Sequence, residues 1–312
     1  MRNNLLWINL ILLPITISVL ALKTDNTSAP QPTAYVQPIN PVVEPPAPIQ
    51  SRLPNITETR PAFRQYPQIV EMLKKWEQEA PDFAETGTYG KTSTGQDQYF
   101  LRITNKNKKE DKPRALITGC IHGNEPISTW TIMWWVGSIL SNYGKDSAIT
   151  ELVDTRDLYF IPVVCPDSYP NSRHSDGADP NRNFPSSGER QSITPIQNLK
   201  DFFKRMKFNA YISGHSFGRV WMFASNNDPQ RRAAYNKLKG EISKLTAYSV
   251  TQLGGPGTTL DADWGNRQGA FSTIIEFGTH QRPPSDNDIQ TEFDKTYKAA
   301  LYFMKEAPVA FR

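Results

Sequence analysis

Four apolar runs constrain this chain more than any other feature: "RALITGCI", "DLYFIPVVC", "FNAYISG" and "FSTIIEFG". None of them alternates apolar with polar residues. A strand that shows water one face must alternate, so a run without alternation has both faces covered. Helix-like or loop segments separate the runs, the order expected of an α/β/α sandwich. Ahead of them, "TGTYGKTSTGQDQYFLRIT" reads as a hairpin that turns at Thr94-Gly95 and puts Tyr99, Leu101 and Ile103 on one face. Ile69, Met72, Leu73 and Trp76 recur at helical spacing and predict an opening amphipathic helix. Ile289, Phe293, Tyr297 and Leu301 predict a long closing one, with the Ser/Asp/Asn cluster before it as its cap.

No repeat or second linker interrupts the chain after residue 61, so 62–312 is read as one domain, long enough to bury a substantial core. What precedes it is different in kind. Residues 1–24 carry Arg2, an apolar stretch from Leu5 to Leu22 and a Val19-Leu20-Ala21 triplet suited to cleavage, the pattern of an export signal. The same stretch is about long enough to begin to span a bilayer, so a retained membrane tether is the alternative. Residues 25–61 are dominated by Pro, Ala, Gln, Thr and Val and read as an extended, disordered spacer. The protein is expected to be exported, to the periplasm or the medium, and to act as a monomer. A net charge of +4 without a Lys/Arg block, and the mixed signs of "NKKEDK" at 107–112, argue against a dedicated nucleic-acid binder. The two cysteines, Cys120 and Cys165, fall at strand ends, where they are either buried thiols or, if the strands are neighbours, one disulfide.

The chemistry gathers where apolar runs end. In "GCIHGNEP", His122 and Glu125 stand at a strand-to-helix turn, with Gly123 allowing the turn to be tight and Pro126 suited to the first helical position. An imidazole and a carboxylate so placed can give a catalytic zinc two of its three protein ligands. Only four histidines exist, and of the rest His215 also ends an apolar run. "RHSDGADPNRNFP" presents Arg173, Asn181 and Arg182 in a polar loop, and "TIIEFG" carries Glu276 inside an apolar strand, which is costly without a partner or a task. Each of these residues also has a structural reading, as a satisfied histidine or a salt-bridged charge.

Together, "YGKTSTGQDQYFLRIT", "HGNE", "DPNRNF", "HSFG" and "IIEFG" resemble, in this order, the zinc carboxypeptidases related to carboxypeptidase A, the M14 metallopeptidases. The resemblance runs from about residue 63 to the end. It implies a twisted mixed sheet of about eight strands between helices and one zinc per chain, with His122, Glu125 and His215 as ligands. It further implies that Arg173 polarises the scissile carbonyl, that Asn181 and Arg182 grip a free substrate carboxylate, and that Glu276 is the general base. The chain departs from the vertebrate digestive members in three places. Asn124 stands where they carry an arginine. "TQLGGPGTTLDADW" has no tyrosine where theirs is mobile, which leaves Tyr248 unassigned. Asp261, Ala262 and Asp263 fall near the pocket, where an aspartate could select a cationic side chain or simply serve a cap or loop. The implied activity is zinc-dependent removal of C-terminal residues from a peptide. Hydrolysis of a cell-wall muropeptide, deacylation of N-acyl amino acids and non-catalytic binding of peptide termini or glycans are the alternatives.

Overall fold

Successive side chains of a strand leave the sheet on opposite sides, and in the central strands of this protein both sides receive apolar residues. The structure, a computed structural model, describes residues 53–62, 65–187, 192–254, 257–280 and 283–310. In chain order its elements are α1 (Tyr66–Glu79), β1 (Ala84–Lys91), β2 (Asp97–Ile103), β3 (Arg114–Thr118), α2 (Pro126–Asn142), α3 (Ser147–Thr155), β4 (Asp157–Ile161), α4 (Thr194–Met206), β5 (Ala210–His215), β6 (Val220–Phe223), α5 (Pro229–Leu245), β7 (Ser249–Gln252), α6 (Asp261–Arg267), β8 (Phe271–Glu276) and α7 (Asp286–Glu306). A 3-10 turn at Pro180–Arg182 interrupts the long connection between β4 and α4.

All eight strands form one sheet in the order β1-β2-β4-β3-β5-β8-β6-β7. Strands β4, β3, β5 and β8 run parallel at its centre, flanked by β2 and β6, which pair antiparallel with β4 and β8. Alternation within the strands divides the core. Ala115, Ile117, Leu158, Phe160 and Ile212 join residues of α1, α2, α3, α5 and α7 on one side. Leu116, Tyr159, Ile161 and Tyr211 meet α4 and Trp264 of α6 on the other. The three layers and the mixed eight-stranded sheet match the expected fold. The hairpin is β1–β2, with a register shift near Tyr89. The closing helix is α7, whose cap Ser285 accepts from the Asp288 N–H while Asp288 accepts from the Ser285 N–H, a reciprocal box.

Composition and packing disagree at residues 53–61. Read as spacer, they run along the domain: Trp76 Nε1 donates to Glu58 O at 2.9 Å, Trp134 Nε1 donates to Pro61 O at 3.0 Å, and Arg60 lies 5.0 Å over the Trp134 ring. Buried indole N–H groups need acceptors, and this stretch supplies them. The chain divides into two units, Met1–Ala47 and Pro48–Arg312, and everything described lies in the second. The expected signal or anchor at 1–24, and the spacer up to residue 52, lie outside the described residues. Among the described residues no helix is long and apolar enough to cross a membrane. Cys120 and Cys165 are neighbours across their strand ends but are free, buried thiols, and burial pushes Cys120 up to about 12.

The chain leaves β3 for β4 on one side of it, then returns to place β5 on the other. Loops leaving β3 and β5 therefore diverge, and a crevice opens at their carboxyl ends, the usual location of a site in such sheets.

Candidate active site

That crevice is where the two ends of the metal motif meet. His122 lies in the loop after β3, Glu125 caps α2 with Pro126 as the first helical residue, and His215 is the last residue of β5. Gly123 owes its place to a close approach rather than to its backbone angles: a Cβ there would stand 2.4 Å from the Ser168 carbonyl carbon and oxygen. Ligand atoms of His122, Glu125 and His215 all lie within 4.8 Å of one another, and all three residues are buried. The Nδ1 atoms of both rings face the carboxylate, His122 at 2.9 Å from Oε1 and His215 at 3.0 Å from Oε2.

Each ring is held from its other nitrogen. His122 Nε2 is 2.9 Å from Asp179 Oδ1, while His215 Nε2 is 3.6 Å from Asp261 Oδ2 and 3.2 Å from the Asn181 amide nitrogen. Carboxylates behind the distal nitrogens, with the proximal ones turned to a shared point, are the outer arrangement of a histidine metal site. Two imidazoles and one carboxylate are also a donor set that suits a catalytic zinc with one position left open, so the residues present fit one zinc ion. Electrostatics follows the geometry. Burial alone would raise Glu125, but the charge of His215 and hydrogen bonds from both rings overcome it and hold the carboxyl at about 2. Burial would lower His215, yet Glu125 and Asp261 raise it well above the usual imidazole value.

Around this corner one cleft of about 370 Å³ is lined by all seven residues singled out in the sequence: His122, Glu125, Arg173, Asn181, Arg182, His215 and Glu276. Arg173 donates through Nε and Nη2 to Asp179 Oδ2 at 3.2 and 2.9 Å, and its Nη1 is 3.7 Å from Glu125. Asn181 and Arg182 differ. The Asn181 amide is committed to the metal corner, since its Oδ1 accepts from the Asp261 N–H at 2.9 Å and its nitrogen faces His215. Arg182 is exposed to the cleft, with Nη1 donating to Asn181 O at 2.8 Å. Glu276 ends β8 directly opposite His215 in register, and its carboxylate takes no hydrogen bond from any described residue. Burial is the main reason its pKa is raised, with Glu125 adding to the rise and His215 opposing it. Phe217, Met222, Leu253, Leu260 and Ile274 make the rest of the wall mostly apolar, with Ser216 its one polar member.

Three open points resolve. Tyr248 is buried, with its hydroxyl on Glu292, and does not line the cleft. Asp261 is fully buried and accepts from the hydroxyls of Tyr211 and Ser213 while backing His215, so it selects no substrate charge. Asp263 is buried against Thr258. His174 and His280 stand outside the ligand cluster. Asp179 was missed, although it sits inside the quoted "DPNRNF". Its only signal was that two ligand rings with fixed orientation need two acceptors behind them.

Carboxypeptidase A2 of Mus musculus is 29% identical over 179 residues, 46% of this chain and 43% of that one. The chain spans under half the length of the curated relatives it matches. Among solved structures, bovine thrombin-activatable fibrinolysis inhibitor, in complex with a tick carboxypeptidase inhibitor, superposes with a TM-score of 0.64 at 20% identity, covering 79% of this chain and 97% of that one. Carboxypeptidase A from Helicoverpa armigera gives 0.64 at 16% identity, covering 81% and 75%. These likenesses are of fold. The sequence itself decides the family: the Peptidase_M14 model, zinc carboxypeptidase, matches residues 69–306, from within α1 to the last residue of α7, and the chain belongs to that family.

Proposed function

We propose that the protein is an exported metallocarboxypeptidase that releases C-terminal residues with apolar side chains from peptides. One observation carries this reading: the three candidate metal-ligating residues, an unpartnered carboxylate and an exposed arginine line a single cleft with an apolar stretch of wall at Phe217, Met222, Leu253, Leu260 and Ile274. The arginine suits a free carboxylate, which a planar guanidinium can take through paired hydrogen bonds. The apolar wall suits an uncharged terminal side chain, because a charge there would be desolvated without a partner. Export rests on the signal-like residues 1–24.

His122, Glu125 and His215 would hold the zinc, with Asp179 and Asp261 keeping the rings turned toward it. When bound, zinc would supply Lewis acidity and lower the pKa of a water molecule to about 7. Arg182 anchors the substrate's terminal carboxylate and so sets which peptide bond lies in the cleft. Arg173, fixed by Asp179, places guanidinium N–H groups for the carbonyl oxygen as it gains negative charge. Glu276, the carboxylate without a partner and with its pKa raised, takes a proton from the attacking water and returns it to the leaving amine. The test is a digest of paired peptides, identical except for a free or amidated C terminus, alongside metal analysis. Single-residue release from the free form alone, with about one zinc per chain, is expected. Equal cleavage of amidated peptides, or cleavage only of muropeptides or of N-acyl amino acids, rejects the reading.

A further inference from the structure

Beneath one wall of the cleft lies a buried carboxylate that belongs neither to the metal corner nor to the cleft itself. Glu292, on α7, is 1% exposed. Its Oε1 accepts from Nε and Nη2 of Arg219 at 3.1 and 2.7 Å, and its Oε2 accepts from the Tyr248 hydroxyl. Both oxygens are thus taken by donors from separate segments, the 216–219 turn between β5 and β6 and the residues just ahead of β7.

Both segments adjoin Glu276. Arg219 immediately precedes Val220, the β6 residue in register with Glu276. The Gly218 N–H donates to Gly278 O at 3.0 Å, two residues beyond Glu276, where the backbone turns at φ +70. The Tyr248 ring meets Phe277 edge-on at 6.3 Å between centroids. Arg219 itself has φ +50, uncommon for a residue with a side chain, so the turn needs something to hold it. The charge-assisted bonds to Glu292 supply that hold. What the turn presents is Ser216 and Phe217, the latter 53% exposed, and both line the cleft.

Resting on the carboxypeptidase reading above, we propose that Glu292 is a positioning residue that acts through Arg219 and Tyr248. It clamps the 216–219 turn against the end of β8 and keeps Glu276 and Phe217 in place for the reaction. A carboxylate that merely anchored α7 would affect stability without touching turnover. The clamp predicts a separate effect, because small displacements of a reacting group cost rate.

The test compares wild type with the double variant Arg219→Gln/Glu292→Gln, which leaves no unpaired charge and keeps the size of the buried side chain on α7, and with Tyr248→Phe, which keeps the ring. Zinc content, backbone hydrogen exchange and steady-state kinetics on a free-carboxylate peptide are read together. In the double variant zinc should be unchanged, while residues 216–219 and 277–280 exchange at least about 10-fold faster and α2 keeps its protection. Its kcat should fall about 10- to 100-fold, with KM within about twofold. Tyr248→Phe should move the same quantities less, and it decides the matter if the double variant does not fold. Unchanged exchange in the turn, or faster exchange with wild-type kcat, overturns the proposal. Should wild type release no residue from any peptide, the activity reading falls instead, and the exchange measurement still decides whether Glu292 holds the turn.

Discussion

Glu125 and Glu276 line the same cleft, yet their surroundings push them in opposite directions. Glu125 sits among donors: two imidazoles reach it, and Ser216 gives it a backbone N–H at 3.1 Å. Its carboxyl is held low, ionised at neutral pH and ready for a cation. Glu276 ends an apolar strand, its carboxylate has no hydrogen bond from any described residue, and burial holds its pKa high. A saturated carboxylate binds, whereas an unsaturated one is free to take up and give back a proton. The metal corner and the β8 wall are therefore expected to respond differently to the same kind of substitution.

The largest effect should come from the metal corner. His122→Ala removes one of the three proposed ligands and the partner of both Glu125 and Asp179. Bound zinc should fall from about one per chain to a small fraction, and peptidase activity should go with it. Atomic emission on the dialysed variant checks this; full zinc retention would dismantle the corner as described.

Glu276→Gln is the matching experiment on the other wall. Zinc should stay, and substrate affinity should hold within about twofold. Loss of the proposed general base should lower kcat by on the order of 10²-fold or more. With no partner to orphan, the variant should melt close to wild type. A large fall in Tm would mean that Glu276 is structural, and a fall in zinc would make the two walls one unit after all.

The same contrast explains what could be read in advance. The seven residues that share the cleft stand out by type, because histidine is rare here and a lone glutamate in "TIIEFG" breaks an apolar run. Strands buried on both faces were equally legible. Strands β6 and β7 were not: at four residues each, with partly exposed side chains, they have too little pattern to separate them from loop. Asp179 and Asp261 escaped assignment for another reason. An aspartate in a loop reads as a turn or cap, and its role as a brace for a ring exists only once distant segments meet. The packing of residues 53–61 was hidden likewise, since its cause lies in Trp76 and Trp134 rather than in the segment's own composition.

Removing a brace should cost less than removing a ligand. Asp261→Asn keeps the size of the side chain but loses the charge behind His215, and outer partners of this kind typically change metal affinity by about 10- to 100-fold. Competition with a chelator of known affinity measures it. The Glu292 contacts behind the β8 wall reach Arg219 and Tyr248 and neither ligand ring, so no substitution there should alter zinc affinity comparably. One that did would blur the contrast between the two walls.

The smallest expected effect is a pH dependence confined to the metal corner. In the metal-free protein, the raised pKa of His215 contributes stability that is fully present below the usual value of 6.5 and is lost as pH rises through the folded value. The lowered pKa of Glu125 contributes stability present above the usual 4.5 and lost as pH falls through about 2. Metal-free protein should thus be most stable between these limits and weaken toward alkaline pH. Zinc binding runs the other way, because the proton on His215 Nδ1 must leave before the nitrogen can ligate. At pH 7, zinc uptake should therefore release about one proton from this ring, and affinity should strengthen by about 1.4 kcal/mol per pH unit until the folded value is passed. Calorimetry in two buffers of different ionisation enthalpy counts the protons, and paired melting curves with zinc or chelator should separate further as pH rises. No proton release at pH 7 would mean that the ring is already neutral, and that the charge of Glu125 is balanced by Arg173 instead.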